Sequence, residues 1–305
     1  MVDILLTGAT GQLGWEVTRR APELGLTITP FAHRDLDITD RSAVRAAVAR
    51  HKPKLVLNAA AHTRVDKAEE EEREATYAVN RDAPGHLAEA AAENGAALLH
   101  LSTDYVFDGT ATRPYREDDP TAPLGHYGEA KLAGEALVAE RIERHAILRT
   151  AWVFGVRGPN FVRTMLRLAQ SHPRLRVVDD QRGAPTFAGD LAEACLALAP
   201  RLIEGTAGAA GHGLFHCTGG GEVTWCGFAR EIIARTAGAT GKAPPVDAIT
   251  TAEFPTPARR PAYSVLDNAK LQAVHGIQMP DWSAGLGAML EEFLPLWLDE
   301  QKAAS

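Results

Sequence analysis

The chain has 305 residues, 45% of them hydrophobic and 23% charged, a composition typical of a folded globular protein with one or two domains. Its formal net charge of −7 argues against nonspecific binding to nucleic acid or to an anionic membrane surface. No apolar run approaches the ~20 residues of a membrane span, and the N-terminus lacks the basic region of a secretory signal.

The first half of the chain alternates apolar runs with amphipathic stretches. Five strands are predicted at DILLTG, LTITPF, LVLNAAA, ALLHLSTDYVF and AILRTAWVFG. Helices are predicted at QLGWEVTRRAPEL, RSAVRAAVARH, the long segment 66–93 and GEAKLAGEALVAERI. This alternation, with strands hydrophobic almost throughout, predicts an α/β fold with a doubly wound, Rossmann-type parallel sheet covered by helices on both faces.

Beyond about residue 150 the pattern becomes less regular, and glycine and proline are frequent. We therefore expect a dinucleotide-binding domain at residues 1–150. Residues 151–305 are expected to form mainly a smaller C-terminal substrate domain over the carboxyl edge of the sheet, with some segments returning to the main sheet. The cysteines Cys195, Cys217 and Cys226 form no C-x-x-C pair and no Cys/His cluster, which predicts reduced thiols in a cytoplasmic protein.

A glycine-rich turn joins the first predicted strand to the first helix. Gly8, Gly11 and Gly14 follow G-x-x-G-x-x-G spacing, which differs from the usual G-x-G-x-x-G of dinucleotide sites. Glycines here permit a tight turn and close approach of a pyrophosphate to the backbone, and the helix N-terminus offers free N–H groups. The turn predicts a cofactor site, and the alternative is a glycine turn without a ligand.

Two later strand ends support a cofactor. Ala60 and Ala61 follow the third strand with small side chains, leaving room for a flat ring or a ribose. Asp37 and Ile38 follow the second strand, where a carboxylate can meet an adenine amino group. Arg34 lies where an arginine accommodates a 2′-phosphate, so the sequence favours NADPH, with NADH left open; alternatively, Arg34 is a solvated loop charge.

Thr103, Tyr127 and Lys131 form the candidate catalytic set. Thr103 closes a predicted strand at the edge where open α/β sheets bind ligands, and Tyr127 and Lys131 stand one helical turn apart on the same face. Lowering the pKa of a tyrosine from ~10 to ~7 requires roughly 4 kcal/mol, which Lys131 and a nearby cofactor charge are expected to supply. The alternative is a solvated Tyr–Lys pair on a helix surface.

More specific segments occur along almost the whole chain. They are GATGQLGWE (8–16), NAAAHTRVDKAE (58–69), STDYVFDG (102–109), YGEAKLAGE (127–135), LRTAWVFG (148–155), PNFVRTML (159–166), VVDDQRGAPT (177–186) and PTPARRPAYSVLD (255–267). With the glycine turn and the Tyr-x-x-x-Lys pair, these segments resemble the extended short-chain dehydrogenase/reductase superfamily and, within it, the dTDP-4-dehydrorhamnose reductase family.

The resemblance implies that a C4 ketone of a dTDP-sugar is reduced by hydride from a nicotinamide. Tyr127 would protonate the ketone oxygen, Lys131 would lower the tyrosine pKa and hold the nicotinamide ribose, and Thr103 would hydrogen-bond the carbonyl. Other implied contacts are Gly11, Gln12 and Leu13 to the pyrophosphate, Asp37 and Ile38 to the adenine, Ala61 and Thr63 to the middle of the cofactor, Asp104 and Trp152 to the sugar, and Val65, Lys67 and Arg260 to the nucleotide diphosphate. The alternatives are a core aromatic for Trp152 and surface ion pairs for Lys67 and Arg260.

Some members of the family form metal-bridged dimers through acidic residues, and Glu16 and Asp190 occupy the matching positions. Carboxylates suit Mg²⁺. The resemblance therefore implies a Mg²⁺-bridged homodimer.

Two other functions are compatible with the same motifs. Epimerases and dehydratases of the superfamily retain and recycle NAD⁺. Dehydratases need an Asp-Glu pair after the threonine, whereas Thr103 is followed by Asp104 and Tyr105, which favours simple reduction. The second alternative is a non-catalytic, NADP-binding regulatory subunit of the methionine adenosyltransferase type, against which the intact Thr103, Tyr127 and Lys131 set argues.

Overall fold

A computed structural model describes residues 2–206 and 208–304. The strands are β1 (Ile4–Thr7), β2 (Ile28–Phe31), β3 (Leu55–Asn58), β4 (Ala97–Thr103), β5 (His145–Thr150), β6 (Val153–Phe154), β7 (Leu175–Val178), β8 (Arg182–Gly183), β9 (Thr186–Phe187), β10 (Gly213–His216), β11 (Val223–Thr224) and β12 (Val246–Ile249). The helices are α1 (Gln12–Arg20), α2 (Arg41–His51), α3 (Val65–Ala68), α4 (Arg73–Tyr77), α5 (Ala83–Glu93), α6 (His126–Arg141), α7 (Phe161–Ser171), α8 (Ala188–Glu204), α9 (Trp225–Thr240), α10 (Ala269–His275) and α11 (Trp282–Ala304). Short 3₁₀ helices lie at Ala21–Leu24, Asp104–Val106, Ala209–Gly211 and Thr251–Glu253.

A six-stranded parallel sheet with the order β10-β5-β4-β3-β1-β2 forms the centre of the fold, which confirms the predicted α/β class. The strand order reverses direction between β1 and β3. In open α/β sheets a ligand crevice opens at such a point, beyond the carboxyl ends of the strands. The glycine turn after β1 and the alanines after β3 both lie at this crevice.

Helices cover both faces of the sheet because its strands are apolar on both sides. One core contains Leu6, Leu57 and Leu148 from the strands together with apolar residues of α1 and α8. The opposite core contains Leu5, Val56 and residues of α2 and α5. Since α8 and β10 belong to the second half of the chain, part of that half packs on the main sheet, and the division at residue 150 stays a prediction.

The rest of the second half has its own core, formed by α7, α9 and α11, with Phe154 and Phe228 among its buried side chains. Three two-stranded sheets accompany it: β11 pairs with β8, β12 with β7 and β6 with β9. The cysteines Cys195, Cys217 and Cys226 are all buried and free. Across the described residues, no helix is both long and apolar enough to span a bilayer.

Several predicted elements are shorter or more divided in the structure. The predicted strand ALLHLSTDYVF ends at Thr103, and the predicted helix QLGWEVTRRAPEL ends at Arg20; a short 3₁₀ helix follows each. The segment 66–93, predicted as one helix, comprises α3, α4, a π-helical turn at Ala78–Asp82 and α5. The predicted strand AILRTAWVFG ends at Thr150, because Trp152 adopts a left-handed backbone conformation (φ 48°). The chain then continues as β6, which pairs with β9 outside the main sheet. A hydrophobic run alone does not reveal such a break.

Candidate active site

The glycine turn between β1 and α1 is shaped by close contact with the end of β3. Gly8 has φ 72°, and a Cβ atom built on it would lie 2.6 Å from the carbonyl carbon of Ala59. A Cβ on Gly14 would lie 2.1 Å from the oxygen of Gly8. Gly11 is the N-cap of α1 and has no side chain to occupy the N–H groups that follow. The turn therefore needs glycine sterically and leaves the helix N-terminus open to an anion.

Asn58 fixes the other wall of the crevice. Its side-chain oxygen accepts hydrogen bonds from the Thr7 hydroxyl at 2.7 Å and from the Ala60 backbone N–H at 3.2 Å. Its Nδ2 contacts Nδ1 of buried His100 at 3.0 Å. One buried amide thus ties the ends of β1 and β3 to the middle of β4, and it holds the backbone of Ala60 against the crevice.

A cavity of about 310 Å³ lies between the glycine turn and the ends of β2 and β3. Its walls include six of the residues predicted to bind the cofactor, namely Gly8, Gly11, Asp37, Ile38, Ala60 and Ala61. His33, Leu36 and His62 line it as well, although none of them was among the predicted site residues. The structure thus brings half of the twelve predicted cofactor residues to one cavity.

The other predicted cofactor residues lie outside this cavity. The Gln12 side chain donates to the Val153 oxygen at 3.4 Å and accepts from Asn160 at 3.2 Å, joining the glycine turn to the second half of the chain. Leu13 is buried in the core beneath the sheet. Thr63 is exposed, and Arg34 is 87% exposed beside Asp35. A contact between Arg34 and a 2′-phosphate stays a prediction.

Thr103 and Tyr127 meet where β4 ends. The Thr103 hydroxyl donates to Asp104 at 3.1 Å, accepts from the backbone N–H of Tyr105 at 3.2 Å, and lies near enough to the Tyr127 phenol to affect its pKa. The Tyr127 ring packs edge-on against the Tyr105 ring with centroids 5.5 Å apart. Tyr127 is 9% exposed, so little water reaches the phenol.

Burial dominates the electrostatics of this pair. It raises the pKa of Tyr127 to about 12. The interaction with Thr103 acts to lower this pKa, and the negative charge of Asp104 acts to raise it. Burial also lowers the pKa of Lys131 to about 8, opposed by the negative charge of Glu135. The Lys131 ammonium donates to the Leu101 oxygen at 2.5 Å.

The prediction that Lys131 brings the pKa of Tyr127 down therefore differs from the structure. The ammonium is turned toward the backbone of β4 and is itself desolvated. Sequence spacing placed both side chains on one helix face, but it does not specify which partner the lysine selects.

Asp104 is a buried carboxylate directly beside the Thr103 hydroxyl. Burial raises its pKa to about 6, although hydrogen bonds with Ser264 and Thr103 act in the opposite direction. Its Oδ2 has no hydrogen-bond partner among the described residues. Ser264 belongs to the C-terminal PTPARRPAYSVLD segment, so this segment reaches the catalytic strand.

Trp152 lies between β5 and β6, at the start of the second half of the chain, and has a strained backbone conformation with φ 48°. Its indole stacks on Trp225 at a centroid distance of 3.5 Å and an interplanar angle of 7°. A Cβ at Gly183 would lie 2.5 Å from the same indole. The stacking partner was not visible in the sequence, and the contact of Trp152 with a sugar stays a prediction.

The residues predicted to meet a nucleotide diphosphate have partners within the chain. Lys67 is exposed and pairs with Glu71, as its alternative interpretation expected. Arg260 donates to Asp66 at 2.9 Å. Val65 begins α3 and is partly buried. Their contacts with a substrate stay predictions.

Glu16 and Asp190, the predicted metal ligands, are close enough to interact. Burial raises the pKa of Asp190 to about 6, with the charges of Glu193 and Glu16 adding to the effect. Glu16 is buried, and its Oε2 accepts from Arg19 at 2.7 Å and from Arg20 at 3.0 Å. Within residues 2–206 and 208–304 no three His, Cys, Asp or Glu side chains are arranged to hold a metal. The side chains of a single chain therefore do not fit a Mg²⁺ site.

Comparisons with known proteins agree with this geometry. The family model of the RmlD substrate binding domain matches residues 2–294. A dTDP-4-dehydrorhamnose reductase from Burkholderia thailandensis is 44% identical, with the alignment covering 95% of this chain and 99% of that protein. A probable dTDP-4,6-dihydroxy-2-methyloxan-3-one 4-ketoreductase from Streptomyces antibioticus is 41% identical, covering 95% of each.

Solved structures give the same result. A dTDP-4-dehydrorhamnose reductase from Clostridium acetobutylicum superposes with a TM-score of 0.88 at 41% identity, covering 95% of this chain and 99% of that one. One from Bacillus anthracis in complex with NADP also gives 0.88, at 34% identity, covering 96% and 100%. The family model and these nearly full-length alignments show that the chain belongs to the dTDP-4-dehydrorhamnose reductase family.

Proposed function

We propose that this protein uses NAD(P)H to reduce the C4 ketone of dTDP-4-dehydro-L-rhamnose, giving dTDP-L-rhamnose. The observation that carries the proposal is the meeting of Thr103 and Tyr127 at the carboxyl end of β4, on the edge that also holds the glycine turn. A nicotinamide cofactor is supported by the NADP in the related Bacillus anthracis structure. The substrate is supported by the names of the curated relatives.

The chain's own residues supply the proton and its orientation. The reduced nicotinamide, when bound, supplies the hydride. Because the pKa of Tyr127 is about 12, the phenol keeps its proton at neutral pH and can donate it to the ketone oxygen as negative charge develops there. Thr103 would hydrogen-bond the same oxygen. The added hydride and proton convert C=O to CH–OH, and the phenolate left on Tyr127 regains its proton from water. Lys131 would hold the nicotinamide ribose.

The cofactor is proposed to lie across the carboxyl ends of β1 and β3. Gly11, Gln12 and Leu13 at the N-terminus of α1 would face the pyrophosphate. The 310 Å³ cavity is proposed for the adenosine half, since Asp37 and Ile38 line it. Arg34 lies one residue after His33, which lines the same cavity, and this supports a preference for NADPH over NADH.

The substrate is proposed to lie between this edge and the second half of the chain. Asp104 and Trp152 would contact the sugar, while Val65, Lys67 and Arg260 would contact the nucleotide diphosphate. In this proposal residues 1–150 bind mainly the cofactor and residues 151–305 mainly the substrate. The interaction of Asp104 with Ser264 supports this division, because it links residues 1–150 to residues 151–305 beside the Tyr127 phenol.

A second candidate substrate follows from the Streptomyces antibioticus relative, whose printed name describes a 4-ketoreductase for a different dTDP-sugar. The experiment that tests the proposal is a panel of 4-keto sugar nucleotides assayed with NADPH and with NADH, monitored by loss of reduced cofactor. We expect turnover with dTDP-4-dehydro-L-rhamnose and preference for NADPH. Tightly bound NAD⁺ in the purified protein, with turnover in the absence of added reductant, would instead indicate an epimerase.

A Mg²⁺-bridged homodimer would require Glu16 to exchange its pairing with Arg19 and Arg20 for the ion. Size-exclusion chromatography with Mg²⁺ and with EDTA tests it, and an identical elution volume would reject it. We also propose a cytoplasmic location, which the three free cysteines support.

A further inference from the structure

A buried ion pair lies directly behind the candidate catalytic residues. Arg149 on β5 donates from Nε and from a terminal nitrogen to the two carboxylate oxygens of Glu135 on α6, at 2.9 and 2.7 Å. Their side chains are only 3% and 7% exposed. The Ser102 hydroxyl donates to the same carboxylate. We refer to these two side chains as the Glu135–Arg149 pair.

The pair contacts the elements that carry the proposed chemistry. Ser102 immediately precedes Thr103 and lies opposite Arg149 in the β4–β5 register. Glu135 follows Lys131 by four residues, so that both side chains lie on the same buried face of α6. Lys131 in turn donates to the oxygen of Leu101, one residue before Ser102. One carboxylate therefore joins α6, β4 and β5 beside the lysine.

Stability alone does not account for such a pair. Removing two charges from water is costly, and apolar side chains of similar volume often stabilise a core at least as well. The Arg149 guanidinium also leaves one terminal nitrogen without a hydrogen-bond partner among the described residues, and it packs over the Phe107 ring at 5.1 Å. The feature that distinguishes this location is its proximity to Lys131.

We propose that the Glu135–Arg149 pair is a positioning unit for Lys131: the Glu135 carboxylate supplies the negative charge that keeps the buried lysine cationic, and Arg149 fixes that carboxylate in place beside it. This inference deepens the proposed function and depends on the role given there to Lys131. Both side chains are buried and neither was assigned a contact with substrate or cofactor, so in this proposal both act through the lysine.

The charges around Lys131 agree with this role. Burial lowers the pKa of Lys131 to about 8, and Glu135 is the charge that opposes the shift. His100 on β4 also faces the lysine. Burial, together with the charge of Lys131, holds the pKa of His100 well below its usual value, so this histidine is neutral. Tyr127, one turn earlier on α6, is neutral too. Removing the Glu135 charge must therefore lower the pKa of Lys131 further.

The test compares four variants with the wild type by NADPH fluorescence titration between about pH 6 and pH 10 and by thermal unfolding. Glu135→Gln removes the carboxylate charge, and Glu135→Gln with Arg149→Met removes both charges so that neither is left buried alone. Arg149→Lys keeps a cation beside Glu135 but loses the two-pronged contact. Glu140→Gln makes the same change at an exposed position of α6.

NADPH affinity in the wild type should fall at alkaline pH as Lys131 loses its charge. We expect this fall at a pH lower by roughly half to one unit in both variants that lack the Glu135 charge. In Arg149→Lys and in Glu140→Gln, NADPH affinity should fall at the same pH as in the wild type. We expect this even though Arg149→Lys should melt at a lower temperature.

The proposal would be overturned if the NADPH affinity of the wild type did not fall at alkaline pH. It would also be overturned if the pH of the fall changed among the variants with their melting temperature and not with the charge at residue 135. The test measures NADPH binding and does not depend on turnover of a sugar substrate. A protein that binds NADPH but reduces none of the tested sugars would therefore reject the proposed substrate alone.

Discussion

Arg260 donates a hydrogen bond to Asp66 at 2.9 Å, although 194 positions separate the two residues. The other oxygen of Asp66 accepts from the backbone N–H of Ala258 at 3.2 Å. The Arg260 guanidinium is also near the Tyr105 hydroxyl, and the Tyr105 ring packs on Tyr127. The C-terminal segment is thereby anchored beside the phenol. An acid of α3 orients the arginine for which the family resemblance implied a diphosphate contact.

Asp66→Asn should release this anchor without touching the reacting atoms. The pair is 24% and 40% exposed, so the free energy of unfolding should fall by about 1 kcal/mol or less. We expect the KM for the sugar nucleotide to rise several-fold with kcat almost unchanged, measured by steady-state kinetics. Asp247→Asn, which removes an exposed acid paired with Arg174, is the matched control. A drop in kcat at constant KM would contradict the interpretation.

Tyr127→Phe removes the proposed proton donor while keeping the buried ring. We expect kcat to fall by about 10²–10⁴-fold, the range typical of general acids, with NADPH affinity retained. Rapid-mixing measurements of NADPH oxidation separate the chemical step from binding. Turnover at the wild-type rate in this variant would remove Tyr127 as the donor.

Asp104→Asn should change how stability depends on pH. Because burial raises the folded-state pKa of Asp104 from 3.8 to about 6, the native state binds the proton more tightly than the unfolded state does. The wild type should therefore lose stability from this group as pH rises from about 4 to 6, on the order of 3 kcal/mol in all. Urea unfolding at several pH values should show the variant gaining stability relative to the wild type across that window.

Asp108→Asn provides a control of opposite sign. Hydrogen bonds from Thr110, first from its backbone N–H, and from Tyr115 lower the pKa of Asp108. The wild type therefore gains stability from Asp108 as pH rises through its folded pKa, and the Asp108→Asn variant should lose stability relative to the wild type. If stability relative to the wild type changed with pH in the same direction in Asp104→Asn and Asp108→Asn, the directions assigned to the two pKa shifts would be contradicted.

Gly8→Ala tests the close contact between the glycine turn and β3. Gly8 and Gly25 both have φ 72°, but a Cβ at Gly25 meets no atom within 4 Å. Gly25→Ala should therefore show the backbone penalty alone, about 1–2 kcal/mol. Gly8→Ala should add roughly 1–3 kcal/mol from the clash with Ala59 and should weaken NADPH binding. Equal losses of unfolding free energy would show that the turn relaxes.

Local sequence patterns predicted much of the site. The glycine turn and the end of β4 follow from the alternation of strands and helices, because parallel strands end at one edge of the sheet. The fixed spacing of Tyr127 and Lys131 also indicated a shared helix face. Each of these inferences needs only neighbouring residues and a regular backbone.

The remaining features depend on contacts between distant segments. The stacking of Trp152 on Trp225 and the pairing of Arg260 with Asp66 have no local periodicity that could reveal them. The direction taken by Lys131 depends on a backbone oxygen of β4. The break after Thr150 depends on one residue with positive φ, which a hydrophobic run conceals.

The three buried cysteines give the protein an internal reporter of its own opening. Burial raises the pKa of the thiols of Cys195, Cys217 and Cys226, and only thiolates react readily with alkylating reagents. Cys195 and Cys217 lie in the core beneath the sheet, whereas Cys226 lies in the core of α7, α9 and α11. The order in which they become labelled in mild denaturant would thus show which core loosens first.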